Sequence, residues 1–420
     1  MTDSLKYRGP DDGGTLIDNS VSLGHRRLSI IDLSRKGKQP MSFLGYTITF
    51  NGEIYNYKDI KEELAEYDFK TGTDTEAIIY AYDKWGAECL KRFNGMFAFG
   101  IYDSKKKELF LARDRFGIKP LYYMHKEGRF AFASEMKVVL PLIDKREVDP
   151  VGLSQFFSYR FTLHETTLVK GIKKFLPSHF MLYDLKRKKI KKYKRYYALK
   201  KQEQSGESYR FHVGKLKEKM AESVERRMVA DVPVACLLSG GVDSSVITLL
   251  AKKHNSKLNT FSIGFDTTNE LPFAKIASKH IKTNHHEYKI GKDDVLKYLD
   301  DMVFHMDEPI GDPGFLPIFV LSKEISKHNK VVLSGDGGDE VFCGYDRYKL
   351  LHYGSKAKHL AAHDFGNDVL KRLRKLKGKE GYDAFFEVVR LFDDDELNKL
   401  QIKSYDGRKI WKDKYDEVTN

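Results

Sequence analysis

A serine- and glycine-rich turn that directly follows an apolar segment constrains the fold of this chain most. The segment Val232–Leu238 has the composition of a buried strand, and a helix-like segment begins at Ser244. The turn that joins them reads Ser239-Gly240-Gly241-Val242-Asp243-Ser244-Ser245. Glycine lets the backbone approach a phosphate closely, and the start of a helix offers unpaired N–H groups to an anion. We therefore predict a nucleotide phosphate site, with Asp243 as an oxygen ligand for a magnesium ion.

An ordinary strand-to-helix turn is the alternative interpretation of this stretch. Ser-Gly-Gly alone would favour that alternative, but the full pattern through Asp243 and Ser244 favours nucleotide binding. The hydroxyl groups of Ser239, Ser244 and Ser245 would add hydrogen-bond donors. No Gly-Lys-Ser/Thr sequence follows, so the turn differs from the phosphate loop of kinase-type nucleotide-binding proteins.

A second turn of similar composition follows the short apolar segment Val331–Leu333. It reads Ser334-Gly335-Asp336-Gly337-Gly338-Asp339-Glu340. Three acids within five residues repel one another unless a cation lies nearby. A solvated acidic turn is the alternative, but the position directly after a strand favours metal and nucleotide binding. In a parallel sheet, two such turns at the carboxyl ends of strands meet in one crevice.

Strand-like and helix-like segments alternate after about residue 205, which predicts a parallel sheet covered by helices on both faces. We expect a second domain over residues 206–420, with polar helices and no further strand from about Lys356. The predicted segments are, in order, the helix Tyr209–Met228, the strand Val232–Leu238, the helix Ser244–His254, the strand Leu258–Ile263, helices near Phe273–Ile281 and Leu316–His328, and the strand Val331–Leu333.

Residues 1–150 have the mixed strand and helix pattern of a separate α+β domain. The helix Asp74–Trp85 is predicted from apolar residues at helical spacing, with Thr73 as its cap. The segment Lys200–Glu207 is the expected linker between the two domains. Alternating apolar and polar residues predict strands at Tyr46–Phe50, Ala98–Tyr102, Glu108–Ala112 and Arg129–Ala133.

The chain has 420 residues and a formal net charge of +13, which raises the question of nucleic-acid binding. The densest basic run, Lys186–Arg195, is interpreted as an exposed β-hairpin, and no known nucleic-acid-binding motif accompanies it. The three cysteines show no metal-binding spacing and no disulfide framework. With no secretory signal or membrane-spanning run in this sequence, we expect a cytoplasmic protein with neither a nucleic-acid nor a membrane partner.

The two serine–glycine turns resemble those of the asparagine synthetases, which belong to the enzymes that split ATP into AMP and pyrophosphate. The resemblance implies that Asp243 and Asp339 bind Mg²⁺, and that Asp336 stands where the family carries an acid that helps to form the aspartyl adenylate. Asn284–Glu287 and Asp307–Pro309 also resemble family segments, although His285 and His286 leave a metal site as a weaker alternative. The ATP site would be lined by Leu237, Ser239, Gly240, Gly241, Asp243, Ser244, Ser245, Ile263, Ser334 and Gly335.

Five segments of the first half, in this order, resemble the class II glutamine amidotransferase domain of the same family. They are Arg8–Gly14, Gly24–Asp32, Phe50–Asn56, Thr71–Glu76 and Ala112–Tyr123. A bound glutamine needs a cation for its carboxylate, which Arg27 would supply, and acids for its ammonium group, which Glu53 and Asp74 would supply. Amide hydrolysis needs oxyanion donors, which Asn51 and the Gly52 N–H would supply.

The family's chains open with Met-Cys-Gly-Ile, and that cysteine is the nucleophile of glutamine hydrolysis. This sequence has Thr2 after Met1, and Cys89 is interpreted as a core residue. The resemblance therefore implies that the nucleophile and the first strand are absent from this chain. The family's later Arg-x-Pro-Phe region also has no counterpart before Asn420. We expect a chain truncated at both ends, for which an inactive protein is one outcome.

The expected fold is thus an αββα amidotransferase sandwich followed by a doubly wound parallel sheet. The expected function is ATP-dependent amidation of aspartate to asparagine through a β-aspartyl-AMP intermediate, with nitrogen from glutamine or ammonia. Amidation of another carboxylate, and a non-catalytic protein that binds nucleotide or glutamine, are the alternatives. The family often forms dimers, so a homodimer is one expected assembly.

Overall fold

The computed structural model describes residues 1–200, 205–265, 269–312, 314–348, 351 and 381–405. Within these ranges the strands fall into two regions that share no sheet. No helix in the described part of the chain is long and apolar enough to cross a bilayer. The predicted linker, residues 200–207, lies partly outside the described residues, as do the polar helices expected from residue 356 as far as residue 380.

The first region contains the strands β1 to β11 and the helices α1 to α5. The strands are β1 (Asp12–Asp18), β2 (Val21–Arg27), β3 (Met41–Phe43), β4 (Tyr46–Ile54), β5 (Gly95–Asp103), β6 (Glu108–Arg113), β7 (Tyr122–Lys126), β8 (Arg129–Ala133), β9 (Lys173–Lys174), β10 (His179–Asp184) and β11 (Lys189–Arg195). The helices are α1 (Tyr57–Glu63), α2 (Asp74–Trp85), α3 (Cys89–Arg92), α4 (Met136–Val139) and α5 (Pro150–Tyr159).

Four layers make up this region. The central antiparallel sheet has the order β11-β10-β6-β5-β4-β3, and one face packs on α2 through residues such as Ile48 and Ile78. The other face, which includes Leu111, packs on the β8-β7-β9 sheet, which includes Tyr123. Helix α4 covers the far side of that second sheet through Met136. The predicted αββα sandwich is therefore confirmed.

The central sheet runs past the domain boundary that was predicted at residue 150. Strand β10 pairs with β6 from Phe180↔Ala112 to Asp184↔Glu108, and β11 pairs with β10. This pairing joins residues that are far apart in the sequence, so local periodicity did not reveal it. The basic run 186–195 forms the turn and the second strand of the predicted hairpin, and all four lysines of β11 are exposed.

The second region is a parallel sheet with helices on both faces. Its strands are β12 (Val234–Leu237), β13 (Asn259–Phe265), β14 (Asn284–Ile290) and β15 (Val331–Leu333). Its helices are α6 (Tyr209–Arg227), α7 (Val242–Lys252), α8 (Leu271–Ile281), α9 (Lys292–His305), α10 (Phe315–Ile325), α11 (Gly338–Phe342), α12 (Gly381–Val389) and α13 (Asp394–Lys399). Helices α6 and α7 pack on one face and α10 packs on the other. The predicted doubly wound sheet is confirmed.

The strand order fixes where this sheet can bind a ligand. The order is β14-β13-β12-β15, and all three pairings are parallel. The chain moves outward from β12 to β13 and β14 and then returns to β15, on the opposite side of β12. Open parallel sheets bind ligands at the carboxyl ends of strands where the order reverses in this way. That position lies between the ends of β12 and β15, where the two serine–glycine turns begin.

Polar contacts join the two regions. The carboxylate of Asp307 accepts hydrogen bonds from the backbone N–H groups of Met136 at 2.9 Å and Lys137 at 3.1 Å. Glu308 accepts the N–H of Leu168 at 2.8 Å and forms an ion pair with Lys174 at 2.8 Å. The Asp307–Pro309 segment, which was noted only as a family-like stretch, therefore connects the second region to the first.

Candidate functional site

A cavity of about 700 Å³ lies in the first region, and all five predicted glutamine-site residues line it. They are Arg27, Asn51, Gly52, Glu53 and Asp74. Three of them follow one another on β4, Arg27 ends β2, and Asp74 begins α2. The cavity is therefore formed where the carboxyl end of β4 meets the start of α2 and the end of β2.

The end of β4 is held close to β5 by a glycine. Gly52 has φ +152°, and a Cβ atom added there would overlap the carbonyl oxygen of Met96. A larger residue would push β4 away from its neighbour. The adjacent Asn51 side chain lies within 3.5 Å of the Ser134 hydroxyl, which also lines the cavity.

Arg27 is a fixed buried cation in the cavity wall. The residue is only 6% exposed, and its Nη1 donates to the carbonyl of Ser34 at 2.9 Å. Nη2 donates to the carbonyls of Ile31, at 3.1 Å, and Asp32, at 2.5 Å. Carbonyl groups carry no net charge, so the positive charge of the guanidinium stays available to an anionic ligand.

Two carboxyl groups, those of Glu53 and Asp74, also line this cavity. Asp74 accepts a hydrogen bond from the backbone N–H of Ile54 at 2.9 Å, and burial raises its pKa to about 6. Burial, and then the charge of Asp74, raises the pKa of Glu53 to about 7. The Oε1 atom of Glu53 is buried and has no hydrogen-bond partner in the described structure. An unsatisfied buried acceptor is costly, so these two groups suit a cationic ligand.

Lys119 and His25 also line this cavity, and the sequence analysis assigned no role to either. Burial lowers the pKa of Lys119, whereas the negative charge of Glu53 acts to raise it. The carboxylate of Asp114 holds the loop that carries Lys119, by accepting the N–H groups of Ile118 at 2.9 Å and Lys119 at 3.0 Å. Lys119 was part of a quoted motif, but its proximity to Glu53 depends on the tertiary fold.

The first serine–glycine turn lies at the end of β12 and is held by its own hydroxyl groups. The Ser239 and Ser244 hydroxyls are 3.0 Å apart, and Ser239 Oγ accepts the N–H of Gly241 at 3.2 Å. The N–H of Ser245 donates to the carbonyl of Gly241 at 3.1 Å. Gly240 has φ +86°, and a Cβ atom there would overlap the backbone of α8, so only glycine fits.

The second turn packs directly on the first. A Cβ atom at Gly335 would lie 2.8 Å from the Ser244 nitrogen and 3.1 Å from Asp243 Cβ. A Cβ atom at Gly338 would overlap the carboxylate of Asp243. Asp339 is the next residue, so the carboxylate of Asp243 lies against the turn that carries Asp339. The two glycines make this close approach possible.

Asp336 belongs to the same turn, where its carboxylate accepts a hydrogen bond from the Ser334 hydroxyl at 2.9 Å. Leu237 and Ile263 lie in one apolar cluster beside the turns. The structure thus brings the predicted ATP-site residues of β12, β13 and β15 to one edge of the sheet.

The histidine pair of β14 does not form the alternative metal site. His285 Nδ1 lies 3.0 Å from the Thr260 hydroxyl, whereas the His286 ring stacks on Phe261 with centroids 4.9 Å apart. Adjacent side chains of a strand point to opposite faces. The described residues contain no group of three or more His, Cys, Asp or Glu that could hold a metal. Magnesium commonly uses only one or two carboxylates together with substrate phosphates, so Asp243 and Asp339 fit it.

Comparisons with known proteins match both regions. Residues 1–197 match the model of a glutamine amidotransferase domain, and residues 215–410 match that of asparagine synthase. A putative glutamine-hydrolysing asparagine synthetase 2 of Methanocaldococcus jannaschii is 38% identical over 379 residues, which cover 82% of this chain and 72% of the relative. The chain belongs to the glutamine-hydrolysing asparagine synthetase family.

Two further relatives carry the same name. Asparagine synthetase 1 of Bacillus subtilis is 36% identical over 355 residues, and asparagine synthetase B of Escherichia coli is 31% identical over 386 residues. The alignments cover 83% and 86% of this chain, but only 56% and 64% of those relatives. This asparagine synthetase family member therefore spans somewhat more than half the length of several relatives.

Cys89 is a core residue of this family member, as interpreted from the sequence. It is 0% exposed and packs in the cluster between α2 and the central sheet. Burial raises the pKa of its thiol far above the ordinary value. Since the thiolate is the nucleophilic form, Cys89 is unsuited to attack an amide.

Proposed function

We propose that this chain catalyses the ATP-dependent amidation of aspartate to asparagine, with glutamine or ammonia as the nitrogen donor. AMP and pyrophosphate would be the other products. The observation that carries the proposal is the contact of Gly335 and Gly338 with Asp243 at the point where the strand order reverses. The two serine–glycine turns that follow β12 and β15 meet there, as a nucleotide site in a doubly wound sheet requires.

The nucleotide would bind with its phosphates on the first turn. The N-terminal end of α7 offers free N–H groups, and the Ser239 and Ser244 hydroxyls lie beside it. Asp243 and Asp339 would hold a magnesium ion, which supplies positive charge to the departing pyrophosphate. Leu237 and Ile263 would provide an apolar surface for the rest of the nucleotide.

In the first step, an oxygen of the β-carboxylate of aspartate would attack the α-phosphorus of ATP, and pyrophosphate would leave. In the second step, ammonia would attack the β-carbonyl carbon and lose a proton to the solvent, and AMP would leave with the bonding electrons. We assign Asp336 to the adenylation step because its carboxylate lies on the turn that packs against Asp243.

Glutamine would bind in the cavity of the first region. Arg27 would hold its carboxylate, while Glu53 and Asp74 would hold its ammonium group. Asn51 and the N–H of Gly52 would stabilise the oxyanion. The unpartnered oxygen of Glu53 supports this assignment, because a cationic ligand would supply the missing donor.

A cytoplasmic location and a homodimer remain predictions.

The test is pyrophosphate release by the purified chain with ATP, Mg²⁺, L-aspartate and ammonium chloride, which bypasses glutamine hydrolysis. We expect release that depends on aspartate, with asparagine detected by mass spectrometry, and loss of both in Asp336→Asn. Glu340→Gln is the matched control, because Glu340 lies on the same turn but accepts the Tyr345 hydroxyl at 2.8 Å. ATP binding without aspartate-dependent pyrophosphate release would contradict the proposal.

A further inference from the structure

The segment between α6 and β12, residues 228–233, contacts the wall of the glutamine cavity. It belongs to the second region, and six residues after its end the chain reaches the Ser239 turn. At the end of α6, just before this segment, the Arg227 guanidinium lies 4.7 Å from the centre of the Tyr55 ring, two residues after Glu53. The second region thus approaches the cavity along this connection.

Asp231 makes the closest polar contacts of this segment with the first region. Its backbone N–H donates to the carbonyl of Ile30 at 2.9 Å, and its carboxylate accepts the N–H of Asp32 at 2.7 Å. These two bonds hold both ends of a three-residue stretch that has no strand or helix of its own.

The stretch that Asp231 holds is the one that orients Arg27. The Nη2 group of Arg27 donates to the carbonyls of Ile31 and Asp32. The carboxylate of Asp32 also accepts the N–H of Gly72 at 2.9 Å, two residues before Asp74. Asp231 therefore contacts the stretch 30–32, whose carbonyl groups hold Arg27. The same stretch contacts the loop that leads to Asp74.

We propose that Asp231 is a positioning residue for glutamine, which acts from the second region through residues 30–32 on Arg27. This inference rests on the proposed binding of glutamine in the cavity. Without the Asp231 carboxylate, the N–H of Asp32 loses its partner, and one of the hydrogen bonds that hold the Asp32 carbonyl in place is lost. Arg27 would then lose part of its alignment with the ligand carboxylate, although it does not itself touch Asp231.

The chain offers a matched control for a change at this interface. Arg226 forms an ion pair with Asp59 at 3.2 Å, which also joins α6 to the first region. Neither Arg226 nor Asp59 is among the residues that line the cavity. Arg226→Gln therefore weakens the same interface without altering the support of Arg27.

The experiment is calorimetric titration of the full chain with L-glutamine, and separately with ATP and Mg²⁺. We expect Asp231→Ala to raise the glutamine Kd roughly fivefold, which corresponds to the loss of one hydrogen bond. The ATP Kd should not change. Asp231→Asn should restore glutamine binding because its amide oxygen can accept the same N–H. Arg226→Gln should bind glutamine as the unaltered chain does.

Three results would overturn the inference while the proposed function stands. They are unchanged binding by Asp231→Ala, equal weakening by Arg226→Gln, and failure of Asp231→Asn to restore binding. If the unaltered chain itself does not bind glutamine, the proposed glutamine site fails and this inference fails with it.

Discussion

Glu53 and Asp74 place two buried carboxyl groups in one cavity, and the charge of Asp74 raises the pKa of Glu53 further than burial alone does. Both residues are 6% exposed. Each group makes the other's ionisation less favourable, so the pair favours the binding of a cation. An ammonium group bound between them would relieve both the repulsion and the missing hydrogen bond of Glu53.

Glutamine binding should strengthen as the pH rises through 7. The pKa of Glu53 is about 7 and that of Asp74 about 6, so at pH 6 most Glu53 is neutral and attracts an ammonium group weakly. We expect the glutamine Kd to fall roughly tenfold between pH 6 and pH 8, because the ionised fraction of Glu53 rises about tenfold over this range. Glu53→Gln should bind weakly at both pH values, whereas the exposed Glu127→Gln should follow the unaltered chain. A pH-independent Kd in the unaltered chain would contradict this assignment.

The carboxyl group of Glu53 should lower the stability of the folded chain at neutral and alkaline pH. Its folded-state pKa is raised from 4.5 to about 7, so the folded chain binds the proton more tightly than the unfolded chain does. Stability is therefore lost as the pH rises from about 4.5 to 7. We expect Glu53→Gln to be more stable than the unaltered chain at pH 8, by on the order of 2 kcal/mol, and to match it at pH 4.5. Urea unfolding at both pH values measures this, and a less stable variant at pH 8 would refute it.

Removal of one carboxylate should abolish the effect of magnesium on ATP binding. Asp243 lies against the turn that carries Asp339, so both can contribute to one cation. We expect the unaltered chain to bind ATP more tightly with Mg²⁺ than with EDTA. Asp243→Asn should bind ATP equally weakly in both buffers, while Glu340→Gln should keep the difference. If Asp243→Asn retains the full response to Mg²⁺, the metal assignment is wrong.

Local sequence patterns predicted the elements whose signals are themselves local. The helix Asp74–Trp85 is confirmed at both ends, and the Thr73 side chain accepts the N–H of Glu76 at 3.3 Å as its cap. The strand Val331–Leu333 is confirmed as well. Because each of the two serine–glycine turns follows an apolar strand, their position at strand ends was also visible in the sequence.

Long-range pairing was not visible in this way. Strand β1 begins with Asp-Gly-Gly and lacks apolar alternation, so its pairing with β2 gave no signal. Helix α9 was not predicted, although Leu296, Leu299 and Val303 recur at helical spacing. The unpartnered oxygen of Glu53 and the neighbouring Lys119 depend on tertiary packing, as do the contacts of Asp231.

The ion pair between Glu308 and Lys174 should stabilise the junction of the two regions. Glu308 keeps only 13% of its side chain exposed, and it also accepts the Leu168 N–H at 2.8 Å and the Thr162 hydroxyl at 3.2 Å. Glu308→Ala leaves these donors without their acceptor. We expect a loss of about 1–3 kcal/mol, seen as a lower midpoint in thermal unfolding.

A second glutamate tests whether burial is the cause of that loss. Glu218 forms an ion pair with Lys215 at 2.9 Å within α6, where both side chains are more than half exposed. Solvent screens such a pair, so Glu218→Ala should hardly change the unfolding midpoint. Equal midpoints for Glu308→Ala and Glu218→Ala would show that Glu308 contributes no more than a surface pair. A drop confined to Glu308→Ala would show that the junction depends on the satisfied, partly buried carboxylate.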